Sequence, residues 1–488
     1  MPLKEILSSI ILSSTIHGLP SILRTKRSFL KFIWFFCTII SSAICAFMLT
    51  KSITDYFDYD LVTTTSVKVE IPLAFPKIKI CNSNPLLTDK AIEFINKTFQ
   101  NWNVTNKLFY QLYENPPSTI TYTQMNLFIS KLVILSNAQK KILTDEFRKS
   151  LGLTIEDMLV SCFFGTNTCF KEDFEWIFDS LGGNCYIFNK YGNRTVTKEG
   201  ILNGLILEIF VGKPLSIQNL ATGSGISVFI NNQSVNPLFF AGYDISTGMQ
   251  TNIHLDKLRI HKINKPYGEC TKSLLSIDSY DSYLYRITFE TFNQTYQQND
   301  CLNMCLQEEI VSSLGCYSTF FPYSSTTVEP CLEKSQITFV FLIINTFYNG
   351  ENINQCLDDC PLECESESYS ITSSFQDYPS EIYANFLSNQ KPILERYGNQ
   401  TPSYSDLKSS FLKLNINYQN LQYTLIEESQ KTTWIDLVAN IGGTLGLFLG
   451  LSFLSFVEFF EILFETILYF YKFNKNKISK FLIQNQKY

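Results

Sequence analysis

The sequence has 488 residues, of which 45% are hydrophobic and 15% aromatic, and its formal net charge is −6. A chain this long and this apolar is too hydrophobic to be disordered and can form more than one domain. The negative balance, without any basic patch, argues against nucleic acid as a partner.

The first predicted elements are a cytoplasmic tail over residues 1–31 and a transmembrane helix over 32–52. Residues 32–50 contain no charged side chain. Such a stretch is long enough to cross a hydrocarbon core of about 30 Å. The tail before it is longer than a secretory leader, so we expect the helix to be retained in the mature protein. Because basic residues dominate the tail, it should stay in the cytoplasm.

A second uncharged stretch over residues 437–457 predicts another membrane helix, and we assign the whole segment 433–471 to it. The tail over 472–488 holds five lysines and no acid, so it should also be cytoplasmic. Residues 53–432 then lie outside the cell. We therefore predict a plasma-membrane protein in which two transmembrane helices flank a large extracellular domain.

The extracellular segment has the pattern of an α+β domain. Alternating β-branched residues around Pro72 and Pro76 predict short strands that are interrupted by the prolines. Acids within residues 171–176 suggest an exposed helix face. Further along the chain we expect mostly helices over residues 86–160, strands over 185–265, cysteine-rich helices over 298–365 and one long strand over 412–428.

Twelve of the 14 cysteines fall in residues 53–432. An even number in an oxidising compartment indicates six disulfides, although the spacing does not give their pairing. Six N-x-S/T sequons in the same segment are candidate glycosylation sites, which supports this topology. They are Asn96, Asn103, Asn193, Asn232, Asn293 and Asn399.

The common motifs of catalysis and cofactor binding are missing from the sequence. We find no HExxH, no GxSxG, no phosphate-binding loop and no zinc-like set of cysteines and histidines. We therefore expect neither an enzyme nor a bound metal or cofactor.

Four glycines interrupt the second apolar stretch: Gly442, Gly443, Gly446 and Gly450. Small residues at this spacing allow helices to approach closely, which is one interpretation of the pattern. In a pore they also allow the backbone to bend and turn its carbonyls toward an ion.

Polar residues on both sides of the glycines favour the pore. Asp436 and Asn440 precede them, and Glu458, Glu461 and Glu465 follow at helical spacing. Ionisable groups at membrane depth are costly and normally face water or protein. A single helix cannot enclose a channel, but several copies could form a constriction with an acidic ring that concentrates cations.

Motifs in a fixed order connect these features to a known family. They are His17-Gly18, FPKIKICN (75–82), GNCYIFN (183–189), KPYGEC (265–270), CPLEC (360–364) and NIGGTLGLFLGLS (440–452). Together they resemble the family of degenerins, epithelial sodium channels and acid-sensing ion channels over nearly the whole chain.

The resemblance implies a trimer with a clenched-hand exterior of palm, knuckle, finger and thumb. It implies sodium-selective conduction, amiloride block, and no cofactor beyond the permeant sodium ion. The partners it implies are related subunits, in a homo- or heterotrimer, and the lipid bilayer. An extracellular peptide or matrix component is a further candidate partner.

The resemblance also assigns roles to individual residues. The filter would be Gly450, Leu451 and Ser452; the pore and amiloride positions Ala439, Asn440, Gly443 and Gly446; the cytoplasmic vestibule Glu458 and Glu461; and the gating residues His17, Gly18, Tyr59 and Tyr267. The implied disulfides are Cys81–Cys185, Cys162–Cys169, Cys270–Cys364, Cys301–Cys360, Cys305–Cys356 and Cys316–Cys331.

Several positions depart from the family pattern. Tyr267 replaces a tryptophan, Asn440 replaces a frequent aspartate, and Asp60 and Leu61 stand where acid-sensing members have histidines. Gating by acid is therefore less expected here, although coupled carboxylates could replace histidine. The C-terminal tail has no PPxY motif, so docking of a ubiquitin ligase is not expected.

Two other functions fit the same topology. An ATP-gated trimeric channel would need a cluster of extracellular lysines, which we do not find, and a non-conducting receptor or adhesion subunit of the same fold would show the same motifs. The stimulus is open among peptide, mechanical force, acid and constitutive opening.

Overall fold

The computed structural model describes residues 18–100, 120–213, 223–231, 242–292, 296–323, 327–350 and 352–452, together with Phe460 and Phe464. The chain divides into two compact units. We call Met1–Thr63 with Glu428–Tyr488 the membrane unit, and Thr64–Glu427 the exterior unit.

The helices of the described residues occur in both units. In chain order they are α1 (Leu19–Arg24), α2 (Ser28–Phe57), α3 (Asp89–Gln100), α4 (Ile120–Ala138), α5 (Asp145–Lys149), α6 (Ile155–Met158), α7 (Tyr283–Thr291), α8 (Gln298–Leu314), α9 (Lys334–Asn349), α10 (Asn352–Asp359), α11 (Glu381–Ser388), α12 (Lys391–Arg396), α13 (Tyr404–Ser410) and α14 (Trp434–Leu449).

The strands belong mainly to the exterior unit. They are β1 (Leu61–Val69), β2 (Leu73–Ala74), β3 (Lys77–Asn82), β4 (Leu159–Phe164), β5 (Asn167–Thr168), β6 (Phe174–Asp179), β7 (Gly183–Phe188), β8 (Thr195–Val196), β9 (Leu205–Phe210), β10 (Gly225–Asn231), β11 (Tyr243–Ser246), β12 (Met249–His261), β13 (Glu365–Asp377) and β14 (Phe411–Gln430).

Two sheets enclose the main core of the exterior unit. One has the order β13-β12-β14-β9-β4-β5, with β1 paired to β14, and the other has the order β11-β10-β3-β7-β6. The strands β12 and β14 run parallel, and the other pairs with a defined register are antiparallel. The ring of Phe75 is fully buried and contacts Phe164, Phe188 and Tyr418. Aromatic edge-to-face contacts of this kind stabilise a core beyond simple burial.

Helices α7 to α10 form a second core that is crossed by disulfides. The cysteines of the exterior unit join in the same six pairs that the family resemblance implies. Three of these bridges, including Cys301–Cys360, lie within this helical core. The two remaining cysteines, Cys37 and Cys45, are free and lie on α2. Disulfides restrict the unfolded chain, so these bridges stabilise the exterior unit.

The long strand expected over residues 412–428 is confirmed as β14, and the interruptions at Pro72 and Pro76 are confirmed between β1, β2 and β3. The helix expected over residues 171–176 is wrong. These residues form one 3-10 turn and the start of β6. The reason is pairing across the sheet, since Phe174 is buried opposite Phe188 of β7.

The structure confirms the first of the two predicted membrane helices as one long helix, but it does not show a continuous second one. The first is α2, which extends beyond residues 32–52 at both ends and is the one helix among the described residues that is long and apolar enough to cross a bilayer. The prediction of a continuous helix over 437–457 is wrong, because α14 ends at Leu449. Gly450 has a left-handed conformation that ends the helix there.

Candidate functional site

Helix α14 begins with a capping box. The Thr433 hydroxyl accepts a hydrogen bond from the N–H of Asp436 at 3.2 Å, and the Asp436 carboxylate accepts one from the N–H of Thr433 at 2.9 Å. Two backbone donors of the first turn are satisfied in this way. A carboxylate also suits the positive end of the helix dipole. The acid that the sequence places before the glycines therefore fixes the start of this helix.

One face of α14 packs against α2. Leu437, Ile441, Thr444 and Phe448 recur at helical spacing and are less exposed than most of their neighbours. The hydroxyl of Ser41 in α2 donates a hydrogen bond to the carbonyl oxygen of Phe448 at 2.7 Å. This face is therefore the contact between α14 and α2.

The opposite face of α14 carries most of the predicted pore residues. Ala439, Gly443 and Gly446 are exposed in the single chain, and Gly450 continues the same spacing. At 3.6 residues per turn, these positions point about 180° away from the face that contacts α2. Asn440 is exposed beside them. A methyl group added to Gly443 would meet no described atom within 4 Å, so this face is open for contact with another molecule or with water.

Helix α14 ends where the sequence predicts the filter. Gly450 has φ of 69°, and its N–H donates to the carbonyl of Gly446 at 3.1 Å. The N–H of Leu451 donates to the carbonyl of Leu445 at 3.3 Å. Glycine adopts this left-handed conformation at little cost. Leu451 and Ser452 then continue outside the helix, so the three residues predicted to form the filter follow a non-helical path.

The glycine of the His17-Gly18 motif lies against α2. Gly18 is buried, has φ of 96° and precedes α1. A methyl group at this position would lie 2.7 Å from the hydroxyl oxygen of Thr38. A larger residue would therefore strain the backbone and collide with α2. Its neighbour His17 lies outside the described residues.

Polar contacts join the start of β1 and the end of β14 within the membrane unit. The backbone N–H of Lys431 donates to the carbonyl of Asp60 at 3.0 Å, and their side chains form an ion pair at 2.7 Å. Hydrogen bonding to Asp60 raises the pKa of Lys431. The hydroxyl of Ser429 donates to the carbonyl of Val62 at 3.4 Å. Because the ion pair is exposed, its energy is small, and its main effect is to hold together the segments that follow α2 and precede α14.

An arginine in the exterior unit links three strands of the larger sheet and the residue that follows β1. Arg259 on β12 forms ion pairs with Glu70, directly after β1, and with Glu367 on β13, and it lies 4.3 Å from the ring of Tyr423 on β14. Lys257 also binds Glu367, at 2.8 Å. Sequence reasoning missed this cluster. The available signal was the pattern LDKLRIH, in which charged residues alternate with apolar ones along a predicted strand.

A buried carboxyl lies at the start of α8. The Asp300 side chain is 4% exposed. Burial and the nearby Glu363 raise the pKa of Asp300 to about 7. Glu363 accepts a hydrogen bond from the N–H of Gln298 at 3.0 Å. Coupled carboxylates were expected from the sequence only in general terms, and their role in gating stays a prediction; Asp300 and Glu363 are one neighbouring pair of acids.

Two of the predicted gating residues, Tyr59 and Tyr267, belong to different units. Tyr59 follows α2 with φ of 54°, and Tyr267 donates its backbone N–H to the carbonyl of Asn264. Their role in gating stays a prediction. The vestibule residues Glu458 and Glu461 lie outside the described residues.

Of the six sequons, Asn96, Asn193 and Asn399 are exposed, as glycosylation requires. The other three, Asn103, Asn232 and Asn293, fall outside the described ranges. Within those ranges, no group of three or more histidine, cysteine, aspartate or glutamate side chains is arranged to hold a metal ion.

Comparison with known proteins shows which proteins this chain is similar to. The family model of the amiloride-sensitive sodium channel matches residues 11–462. The bile acid-sensitive ion channel of Rattus norvegicus is 24% identical over 484 residues, covering 96% of this chain and 90% of the relative. Acid-sensing ion channel 1 of Gallus gallus is 27% identical over 471 residues, covering 93% and 83%. The epithelial sodium channel subunit beta of Neoceratodus forsteri is 26% identical over 335 residues, covering 67% and 50%.

Proposed function

Since this chain belongs to the amiloride-sensitive sodium channel family, a family of ion channels and not of enzymes, we propose that it forms a sodium-selective channel. Three copies, identical or from related subunits, would surround a common axis in the plasma membrane. Both termini would be cytoplasmic. The exterior unit would control opening.

One observation carries this proposal: the open face of α14. This face presents Ala439, Gly443 and Gly446, and it points away from α2. Three such faces brought together leave room for water because their side chains are small. At Gly450 the helix ends, so carbonyl groups and the Ser452 hydroxyl can approach an ion. The filter would lie at this constriction.

The remaining roles follow from position. Gly446 and Gly443 would contribute to amiloride binding in the outer part of the pore, with Asn440 at its mouth. Glu458 and Glu461 would attract cations at the cytoplasmic end. His17 and Gly18 would shape the inner mouth, and replacement of Gly18 would alter gating because the glycine lies against α2.

Movement of the exterior would reach the pore through β14. This strand begins at the fully buried Phe411 and ends at Gln430, four residues before α14. Arg259 on β12 connects β14 with β13 and with the residue that follows β1, through Tyr423, Glu367 and Glu70. A change in the spacing of these strands would therefore move the segment that starts the pore helix. A peptide or mechanical force acting on the exterior are both compatible stimuli.

Expression of this chain alone, followed by recording of sodium current with and without amiloride, tests the proposal. We expect a current that reverses near the sodium equilibrium potential and falls with amiloride. Replacing Ser452 should change the ratio of sodium to potassium permeability. If the protein reaches the surface alone and with related subunits but never conducts, the channel proposal is wrong and the non-conducting receptor is favoured.

A further inference from the structure

The last turn of α14 leaves backbone carbonyls without helical partners. In an α-helix, the final four carbonyl groups have no N–H from a following turn. Here the carbonyl of Gly446 accepts from the N–H of Gly450. Phe448 lies two residues before that glycine, where the chain leaves its helical path. An unpaired carbonyl within a bilayer is costly because no water is available to replace the missing donor.

The neighbouring helix supplies the donor. Ser41 of α2 is half-buried and its hydroxyl donates to the Phe448 carbonyl at 2.7 Å, a normal length for such a hydrogen bond. The hydroxyl of a serine or threonine in a membrane helix can also donate to a carbonyl of its own helix, as the Thr38 hydroxyl does to the carbonyl of Trp34. Ser41 instead donates its hydrogen bond across to α14, two residues before the helix breaks at Gly450.

We propose that Ser41 is a positioning residue for the selectivity filter, an inference that rests on the channel function proposed above. Its hydrogen bond fixes the Phe448 peptide relative to α2. The filter begins two residues later at Gly450, so the same bond restricts where the filter carbonyls and the Ser452 hydroxyl lie. Without it, the peptide is free to rotate toward another donor, and the geometry that distinguishes sodium from potassium is relaxed.

The chain supplies a matched control. Ser42 is the next residue of α2 and is exposed, so it points about 100° away around the helix. Ser42→Ala removes the same hydroxyl from the same helix without affecting the Phe448 carbonyl. Ser41→Thr retains a hydroxyl at the correct position, whereas Ser41→Ala removes it.

The permeability ratio of sodium to potassium, obtained from reversal potentials, is the deciding measurement because it does not depend on how many channels reach the surface. We expect Ser41→Ala to lower this ratio about threefold or more, the order expected for the loss of one neutral hydrogen bond. Ser41→Thr and Ser42→Ala should retain the wild-type ratio. An unchanged ratio in Ser41→Ala, or an equal change in Ser42→Ala, would overturn the inference.

A second measurement tests the contact without requiring current. In a chain with Cys37→Ala and Cys45→Ala, the pair Ser41→Cys and Phe448→Cys should form a disulfide on oxidation, and the pair Ser42→Cys and Phe448→Cys should not. A crosslink in the Ser42 pair and none in the Ser41 pair would overturn the inference even in a silent channel. If the wild-type protein carries no current while the Ser41→Cys and Phe448→Cys variant crosslinks, the channel function is contradicted and the helix contact is supported.

Discussion

The exterior unit and the membrane unit are stabilised by different kinds of packing. The exterior unit has one core between two sheets and a second, helical core that is cross-linked by disulfides. Both cores are formed within a single chain. In the membrane unit, α14 packs one face against α2 and leaves the opposite face, which carries small residues, uncovered. The exterior is thus complete in a single copy, whereas the open face of α14, the pore face of our proposal, would require other copies. Changes in the exterior should lower the amount of folded protein, and changes on the pore face should alter conduction at a constant amount.

Removal of one buried disulfide is the strongest test of this contrast. Cys301→Ala combined with Cys360→Ala deletes a fully buried bridge in the helical core. Loss of such a bridge costs about 2–5 kcal/mol and often prevents folding. We expect surface protein, measured by biotinylation, to fall severalfold or more. Cys37→Ala removes a free, exposed cysteine and should leave the amount unchanged; equal effects would break the contrast.

A bulky residue on the pore face should act in the opposite way. Ala439→Phe places a large side chain where the copies approach, so the closed state is disfavoured. We expect resting sodium current at equal surface amount to rise about tenfold, which corresponds to a shift of about 1.4 kcal/mol between closed and open states.

The control for this change is Val438→Phe. Val438 is also exposed but lies on a different side of α14. Its replacement should leave resting current close to that of the wild type. Equal resting currents in the two variants and the wild type would show that the face with Ala439 does not face the pore.

The buried carboxyl of Asp300 predicts how the stability of the exterior unit depends on pH. Its pKa of about 7 lies above the value of about 3.9 in an unfolded chain, so the folded state keeps the proton longer. Both states hold the proton below about pH 4, and stability should then fall as the pH rises toward 7, by on the order of 2 kcal/mol.

Asp300→Asn removes this titration. We expect the purified variant to melt at a higher temperature than the wild type at pH 7.5, with less change between pH 5 and 7. Asp278→Asn alters an exposed acid and should retain the wild-type pH dependence. A wild-type melting temperature that rises between pH 5 and 7, with no difference in Asp300→Asn, would contradict the assignment.

The smallest expected effect concerns Arg259. Arg259→Gln leaves Glu70 and Glu367 without their shared cation, and because the cluster is partly exposed we expect a loss of about 1–2 kcal/mol. Lys391→Gln breaks a largely exposed pair and should cost less than about 0.5 kcal/mol. Melting of purified protein gives both values. Equal losses would mean that the link through Arg259 is only a surface feature.

Much of this molecule was predictable from local sequence. The long strand β14 shows the period of two, and α2 is a continuous apolar run, so both were found. The end of α14 was missed because Gly450 is one of several glycines in an apolar stretch, and only its left-handed conformation distinguishes it.

Non-local contacts could not be read from the sequence. Arg259 meets Glu367 only because β12 and β13 pair in one register, and Ser41 meets Phe448 across a separation of 407 residues. The assignment of residues 171–176 failed for a related reason, since the pairing of Phe174 with Phe188 outweighs the local preference of the acids.

The most direct test of the shared pore is a cysteine scan along α14 in a chain with Cys37→Ala and Cys45→Ala. A positively charged, water-soluble thiol reagent is applied during sodium current. We predict that Ala439→Cys and Gly443→Cys become modified with loss of current, whereas Val438→Cys and Leu445→Cys on another side of the helix are unaffected. Modification of all four positions alike, or of none in a conducting channel, would contradict a water-filled path along this face.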